Sequence, residues 1–398
     1  MTRGRRRKLL GVLLGVLLGA LLAPNSAAAE RGLWVRTATW QDPLRAARLI
    51  ADAAATGFTL LLLDVPLDDA PGASSTRRDE ALHAFIASAK VRGLQVHAWV
   101  QASRILAAGA LPASGDHPVR TYPEWVMVPR ELATELARLD AHNPAYLGAL
   151  ARWARDRADE VDGLYLSPLV PAAAEFLADR LGALLNRVPF DGVQFESAYL
   201  PSSDFDFGEL AVRLFREEVA SRLPPLERRQ HDARSAIDPR TYPDAFPQEW
   251  SRFRRSRVTA LIARLGARAR QARPGIHVSV LVAADPDEAL GRHQQDWRTW
   301  VEIGLVDAIC LAPGTEMPGE FSQHLVDAST IAGTAALWTG VAAHRLSPSD
   351  TLARIRTARR IGVDGLLVWS YDTVIDSTRQ PPGHLQQIGL ALSTGDQR

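Results

Sequence analysis

Cysteine is almost absent from this sequence. The 398 residues include a single one, Cys310, in the apolar run VDAICLAP. An intramolecular disulfide is therefore excluded, and a large hydrophobic core must hold the folded protein together. A thiol with apolar neighbours is typical of a small core residue, so we do not expect thiol catalysis.

The sequence also lacks a strong excess of charge of either sign. Its formal net charge is +1, and five of its cations lie within the first eight residues. The remainder is slightly acidic and offers no basic surface, so we do not expect nucleic-acid binding. With 46% hydrophobic and 23% charged residues, the composition is that of a folded protein.

Several motifs of cofactor and metal enzymes are missing. There is no G-x-G-x-x-G turn after the first predicted strand, no G-x-S-x-G and no H-E-x-x-H. The ten histidines are scattered without the spacing of metal ligands. We therefore expect neither a cofactor nor a metal site.

The amino terminus is typical of a secretory signal peptide. A basic stretch precedes an apolar run over residues 9–23, and Ala27 and Ala29 supply the small residues at which signal peptidase cuts. We predict a signal peptide over residues 1–29 and an exported mature protein, periplasmic or secreted, without a membrane span. An uncleaved anchor is the alternative, but the apolar run is shorter than the roughly 20 residues that a spanning helix needs. A loose twin-arginine pattern in the basic stretch leaves the export route open.

Beyond this segment, short apolar runs alternate with segments of helical periodicity. Repeated alternation of strand and helix predicts a (β/α)8 TIM barrel with eight parallel strands. A ninth apolar run, over residues 161–168, would prevent this closure, and we assign it to a connection because Pro168 cuts it short. The predicted strands cover residues 32–38, 58–65, 94–101, 191–197, 276–283, 306–312, 335–342 and 363–371.

Two connections of the predicted barrel are long insertions. They cover roughly residues 102–169 after the third strand and 202–249 after the fourth. Because both follow the carboxyl ends of strands, they would lie on the face where barrel enzymes build their active sites. We predict one barrel domain over residues 30–390, with a large ligand groove on that face, and a C-terminal tail over residues 391–398.

Five segments of the chain carry a resemblance to a known family. They are RGLWVRTATW, GLQVHAWVQASR, a stretch that ends in PFDGVQFESAYLP, QDWRTWVEIGLVDAICLAP and RRIGVDGLLVWSYD. In this order they resemble the glycosyl-hydrolase-like family ten, bacterial exported barrel proteins related to glycosidases. The resemblance implies a (β/α)8 fold and a glycoside hydrolase that cleaves a cell-envelope polysaccharide, such as the glycan strands of peptidoglycan.

The sequence departs from the pattern of that family at several positions. The family usually has Asp where this chain has Glu196, and often another polar or aromatic residue where Ser197 and Ala198 stand. It also has aromatic residues at the positions of 312–314 and tends to carry an amide at that of Asp64. These departures concern the activity rather than the fold. A barrel that binds glycan without cutting it is therefore the alternative to a hydrolase.

Glycoside hydrolysis needs two carboxyl groups that flank the scissile bond, one protonated and one ionised. Glu196 is the first candidate, because it lies near the carboxyl end of the fourth predicted strand and shares one face of it with Gln194. A salt bridge to a nearby arginine is the alternative for it. For the second carboxyl group, Asp372 and Asp64 are placed ahead of Asp285 and Glu316, since both lie closest to the predicted barrel mouth. Either can instead cap a helix or bind an arginine.

A glycan site also needs aromatic rings and planar hydrogen-bonding groups at strand ends. His97 is explained equally well as an interior histidine. Asp191 and Asp364 precede glycines at the starts of strands, so we interpret them as structural. The candidate substrate-binding residues are Trp40, His97, Trp99, Gln101, Arg104, Gln194, Tyr199, Glu316, Trp369 and Tyr371.

Overall fold

The computed structural model describes residues 29–67, 73–112, 114–314 and 317–393. Their strands are β1 Glu30–Val35, β2 Leu60–Asp64, β3 Gln95–Gln101, β4 Arg104–Ala107, β5 Gly163–Tyr165, β6 Gly192–Glu196, β7 His277–Val282, β8 Ala308–Leu311, β9 Ala336–Val341 and β10 Gly365–Val368. Eight of them close into a parallel barrel in the order β1-β2-β3-β6-β7-β8-β9-β10. The (β/α)8 barrel predicted from the sequence is confirmed.

Helices connect successive barrel strands on the outside, where α7 packs against α11. The first nine are α1 Thr37–Trp40, α2 Pro43–Ala55, α3 Ala73–Val91, α4 Pro118–Thr121, α5 Ala133–Leu136, α6 Pro144–Asp156, α7 Pro171–Arg187, α8 Glu209–Ala220 and α9 Pro225–Ser235. They are followed by α10 Thr241–Ala245, α11 Pro247–Ala272, α12 Pro286–Gly291, α13 Trp297–Glu302, α14 Pro318–Ile331, α15 Pro348–Ile361, α16 Tyr371–Val374 and α17 His384–Ser393. Short 3-10 turns lie at Pro123–Trp125 and Arg130–Leu132.

The helix α15 illustrates how local sequence sets the helix ends. Ser347 precedes it, and its side chain accepts a hydrogen bond from the backbone N–H of Asp350. Pro348 occupies the first turn, where a missing N–H costs nothing. Gly362 follows the last turn with a φ of 91°, a left-handed conformation that glycine adopts without strain. The chain then enters β10 directly.

Each barrel strand buries both of its faces. On β2, Leu61 and Leu63 belong to the large core between strands and helices, whereas Leu60 and Leu62 belong to the cluster inside the barrel. Because both faces are apolar, such strands appear in the sequence as continuous apolar runs rather than alternating ones. The side chain that breaks the run, Asp64, stands where β2 ends.

Strand pairing fixes which residues stand at the same height in the barrel. Asp64 pairs with Trp99 on β3, and Trp99 pairs with Gln194 on β6. Because the strands of a (β/α)8 barrel are tilted, the residue at the same height on the next strand lies about one position beyond the paired residue. Side chains alternate between the two faces of a strand, so a layer inside the barrel takes one side chain from every second strand. Glu196, two residues beyond Gln194, therefore shares a layer with Asp64. The layer at the carboxyl end of the barrel, here called the mouth layer, consists of Asp64, Glu196, Ala312 and Trp369.

The long connection after β3 contains a second, smaller sheet. β4 and β5 pair antiparallel outside the barrel. The run 161–168 supplies β5, as expected of a connection rather than of a barrel strand. A separate apolar cluster that includes Val126, Leu136 and Leu150 holds this connection together. The sheet is thereby anchored beside the mouth.

The predicted signal peptide, up to residue 28, and the end of the C-terminal tail lie outside the described residues. The last helix, α17, extends beyond residue 390 to Ser393. Within the described part of the chain, no helix has the length and apolar character required to cross a membrane.

Tight interior packing makes Gly192 of β6 sensitive to substitution. A Cβ atom at this position would lie 2.4 Å from Cε1 of His97, whose ring is itself stacked against His277. We expect Gly192→Ala to reduce the free energy of unfolding by about 1–3 kcal/mol through overpacking. Chemical denaturation measures the change.

The matched control is Gly291→Ala, because a Cβ atom there meets nothing within 4 Å. This control should be neutral or stabilise the protein by up to about 1 kcal/mol. Equal stability of the two variants would contradict the packing described for the barrel interior.

Candidate active site

Glu196 lies at the carboxyl end of β6, in the mouth layer. Gln101 Nε2 donates a hydrogen bond of 2.9 Å to Glu196 Oε2. Burial raises the pKa of the Glu196 carboxyl above its usual range, and the Gln101 hydrogen bond and the Arg104 charge lower it by less. The surroundings of Glu196 therefore favour its protonated form.

The Gln101 side chain is fixed in the orientation that serves Glu196. Its Oε1 accepts hydrogen bonds from Ser197 Oγ at 2.7 Å and from Arg104 Nε at 3.3 Å. Because the amide oxygen is occupied by two donors, the amide NH2 group is the part left to turn toward the carboxyl group. Gln101, which Ser197 and Arg104 hold in place, therefore fixes the position of the Glu196 carboxyl group.

Ser197, directly after Glu196, has an unusual backbone conformation. Its φ is 55°, in the left-handed region that residues other than glycine rarely adopt. Such strain persists where surrounding contacts impose it, commonly at functional sites. Here the Ser197 carbonyl accepts a hydrogen bond from Ser103 Oγ, and the Ser197 hydroxyl donates to Gln101. The turn after β6 is therefore tied to the end of β3.

Asp64 ends β2 and is the other acid of the mouth layer. Its Oδ2 accepts a hydrogen bond of 3.0 Å from the Thr37 hydroxyl. Burial raises the pKa of the Asp64 carboxyl, and the Thr37 hydrogen bond is the largest of the effects that lower it. The charges of Arg104 and Arg36 lower it further. The charges of two arginines therefore favour the ionised form of Asp64, whereas among the described residues Arg104 is the only arginine whose charge favours the ionised form of Glu196.

Arg104 acts on both carboxyl groups. It begins β4, and its charge lowers the pKa of Glu196 and that of Asp64. An ion pair of 3.4 Å joins its Nε to Asp162 Oδ2, and the Tyr165 hydroxyl donates a hydrogen bond to Asp162. The small β4–β5 sheet therefore fixes a cation beside the two acids.

Trp369 contributes an aromatic surface opposite Glu196 in the mouth layer. It follows β10 and is partly exposed. Its ring centroid lies 4.9 Å from that of Trp99, edge to face, and 5.5 Å from that of Trp34. Trp99 and Trp34 are buried, so three indoles form an apolar base at the mouth. The C–H face of a sugar ring packs well on such a surface.

A cavity of about 130 Å³ opens beside Asp64 at the mouth. Its polar lining comes from Asp64, Gln101 and Arg104, and part of its apolar lining comes from Phe176 and Leu177 of α7. Phe176 was missed in the sequence analysis, because an aromatic residue on an amphipathic helix is usually assigned to the core. The mixture of planar polar groups and an aromatic ring suits a sugar.

The other acidic candidates are placed differently. Asp372 accepts hydrogen bonds from the Arg36 backbone N–H at 3.0 Å and from the Thr39 hydroxyl, so it secures the start of α1. Asp285 caps α12, accepting from the first backbone N–H groups of that helix. Glu316 lies outside the described residues. Among the described candidates for the second carboxyl group, Asp64 is therefore the one that shares a layer with Glu196. The charge of Asp162, on the β4–β5 sheet side, also raises the pKa of Glu196.

Two of the predicted contact residues lie deeper in the barrel. Gln194 is fully buried and accepts a hydrogen bond of 2.7 Å from Trp34 Nε1. His97 pairs in register with Gly192, well below Glu196, and its ring centroid lies 5.4 Å from that of His277. Burial lowers the pKa of His97 to about 3, and His277 adds to this effect. His97 is a neutral interior histidine, and we do not include these two residues among the substrate contacts.

Trp40 and Tyr371 are also packed away from the mouth, each with 1% of its surface exposed. Trp40 Nε1 donates to the backbone oxygen of Asp64 at 3.0 Å, and the Tyr371 hydroxyl donates to Asp52 at 2.8 Å. Both position neighbouring elements. Tyr199, in contrast, is partly exposed near the mouth, and burial raises its pKa to about 12, so it stays neutral.

No group of three or more His, Cys, Asp or Glu side chains among the described residues is arranged to hold a metal ion.

The sequence was compared with those of known protein families. Residues 70–330 match the model of the family Glycosyl hydrolase-like 10. The chain belongs to this family. The resemblance inferred from the sequence is thereby confirmed, and the matched region includes Glu196 but begins after Asp64.

Two similar proteins are called glycosyl hydrolases. The chain is 25% identical over 245 residues to Glycosyl hydrolase DigH of Escherichia coli K12, which covers 58% of this chain and 45% of that protein. The DigH of Shigella flexneri matches to the same extent. This chain therefore aligns with less than half of each relative.

Solved structures share the fold at low sequence identity. The catalytic domain of a β-amylase from Paenibacillus polymyxa has a TM-score of 0.58 at 13% identity, over 92% of this chain and 98% of that one. A β-galactosidase from Marinomonas ef1 has a TM-score of 0.60 at 10% identity, over 91% of this chain and 59% of that one. Both support the barrel architecture.

The raised pKa of Glu196 has a consequence for stability. As the pH rises above the pKa of an unfolded glutamate, the unfolded state loses its proton before the folded state does, so stability falls. We expect Glu196→Gln to be more stable than the wild type at neutral pH, with a difference that disappears below about pH 4, near the unfolded pKa. Thermal unfolding across pH measures this.

The control for this measurement is Glu217→Gln, because Glu217 is exposed on α8. It should show no such pH-dependent gain. A Glu196→Gln variant that is equally or less stable than the wild type at neutral pH would contradict the burial of this carboxyl.

Proposed function

We propose that the protein hydrolyses glycosidic bonds of a cell-envelope polysaccharide, with Glu196 and Asp64 as the carboxyl pair. The observation that carries the proposal is their common layer. The two acids lie on β2 and β6, the strands on either side of β3, and the charge of Arg104 lowers the pKa of both. Family membership supports the reaction type.

Different surroundings divide the two chemical roles. Glu196 acts as the general acid, because burial raises the pKa of its carboxyl group and Gln101 fixes its direction. Asp64 acts in the ionised form, supported by the Thr37 hydroxyl and by two arginines. It attacks the anomeric carbon or activates a water molecule on the face opposite the leaving oxygen. Glu196 donates its proton to that oxygen.

The remaining groups of the mouth bind the sugar. Trp369 receives the apolar face of the ring, and Gln101 and Arg104 present planar donors beside the carboxyl pair. Tyr199 offers a neutral hydroxyl nearby. These contacts orient the glycosidic bond between the two acids. Holding the reacting groups in this geometry lowers the free-energy barrier of the reaction.

The envelope polysaccharide is proposed from the amino-terminal segment and the relatives. A signal peptide would deliver the mature protein across the inner membrane, where the glycan strands of peptidoglycan are a polymer with cleavable glycosidic bonds. The similar proteins of Escherichia coli and Shigella flexneri are called glycosyl hydrolases. On these grounds we propose a location outside the cytoplasm and glycan strands as the substrate.

Loss of either acid should abolish turnover. We expect Glu196→Gln and Asp64→Asn each to lower kcat on purified glycan strands by about a hundred- to ten-thousandfold or more, the range for general acid and base groups. Release of reducing ends measures the rate. Asp285→Asn is the matched control, since asparagine also caps helices well.

A wild-type protein that binds the strands but releases no reducing ends would contradict hydrolysis. It would instead support a glycan-binding barrel, which the replacement of aspartate by Glu196 and the small residues at 312–314 also favour. Undiminished turnover by both acid variants would place the reaction elsewhere.

The pH profile should respond to Arg104. Its charge lowers the pKa of both acids, so Arg104→Gln should raise both. We expect the acid limb of kcat/KM, set by Asp64, and the alkaline limb, set by Glu196, both to move to higher pH. Rates measured across pH on glycan strands give the profile, and unmoved limbs would show that neither acid controls it.

A further inference from the structure

Three aromatic side chains form a cluster in the neighbourhood of the cavity at the mouth. Tyr122 and Trp125 stack face to face, with ring centroids 3.9 Å apart and an interplanar angle of 10°. Phe176 lies 6.0 Å from Trp125 and 6.5 Å from Tyr122. Tyr122, Trp125 and Phe176 are here called the aromatic triplet.

The aromatic triplet is accessible rather than buried. Tyr122 is 36% exposed, and Trp125 and Phe176 are partly exposed. Trp125 and Phe176 pack against the core on one side and keep part of their surface accessible. Apolar groups that are exposed together, rather than scattered singly, are typical of a binding surface.

The rings are held in place by a rigid backbone. Trp125 N–H donates to the Tyr122 carbonyl at 3.0 Å, which closes the short turn between them, and the Ser167 N–H donates to the Trp125 carbonyl at 2.8 Å. An isolated bridge also pairs Val126 with Leu166. A surface fixed in this way loses little entropy when a ligand packs on it.

Phe176 connects the aromatic triplet to the cavity beside Asp64. Its side chain lines the same cavity as Asp64, Gln101 and Arg104, and the Arg180 guanidinium lies 5.0 Å from the centroid of its ring. A chain of sugars that extends from Asp64 through this cavity therefore meets Phe176, and the rings of Tyr122 and Trp125 lie next to Phe176.

We propose that the aromatic triplet is a distal subsite that stacks on a pyranose ring of a long glycan chain. The inference rests on the proposed glycosidase function. A polymer reaches the subsite while one of its bonds lies at the carboxyl pair, whereas a disaccharide bound at the carboxyl pair does not. The protein therefore prefers polymeric strands to short oligosaccharides.

The test compares binding of a disaccharide and of long, peptide-free glycan strands in the Glu196→Gln background, which removes turnover. Tyr122→Ala should weaken binding of the long strands by roughly three- to tenfold, the range for an aromatic contact. It should leave binding of the disaccharide unchanged. Tyr122→Leu, which keeps bulk but removes the ring, should reproduce this loss.

Two controls isolate the stacking contribution. Tyr122→Phe keeps the ring and should bind long strands as the parent does, and Leu111→Ala removes an exposed apolar side chain of the same connection and should have no effect. Unchanged binding of long strands by Tyr122→Ala and Tyr122→Leu, or equal losses for both lengths, overturns the subsite while the glycosidase proposal stands. A parent that binds and cleaves no glycan of any length overturns both.

Discussion

The tilt of the barrel strands is the constraint on which the candidate site depends. Because the register advances around the barrel, a side chain at the end of β2 and one at the end of β6 reach the same height. Asp64 and Glu196, far apart in the sequence, become neighbours in one layer of four. Trp369 completes the acid and aromatic set from the other side, so a single geometric rule assembles the mouth.

The insertion after β3 adapts this general scaffold to chemistry. Its β4–β5 sheet brings Arg104 to the two acids and ties it to Asp162. Arg104 also shares the oxygen of Gln101 with Ser197, and this arrangement directs the Gln101 amide toward Glu196. The burial of Glu196 and the left-handed backbone of Ser197 both reduce the stability of the fold locally. They occur where the proposed reaction needs a protonated donor.

Much of the fold was predictable because it follows from local patterns. Continuous apolar runs indicate strands buried on both faces, and their alternation with helices indicates the barrel. The same reasoning predicted Glu196 at a strand end. Alternation, however, gives the face of a strand and not its height, so it could not separate His97, deep inside, from Gln101 at the mouth. It also could not show that Asp372 is occupied by Arg36 and Thr39, since those contacts join opposite ends of the chain.

The most direct test of the shared layer is a crystal structure of Glu196→Gln with a bound glycan oligomer. The account predicts a glycosidic oxygen within hydrogen-bonding distance of the side chain at position 196, with the Asp64 carboxylate on the opposite side of the same sugar. A sugar chain that bypasses both positions, or that presents its bond to Asp372, would contradict the account.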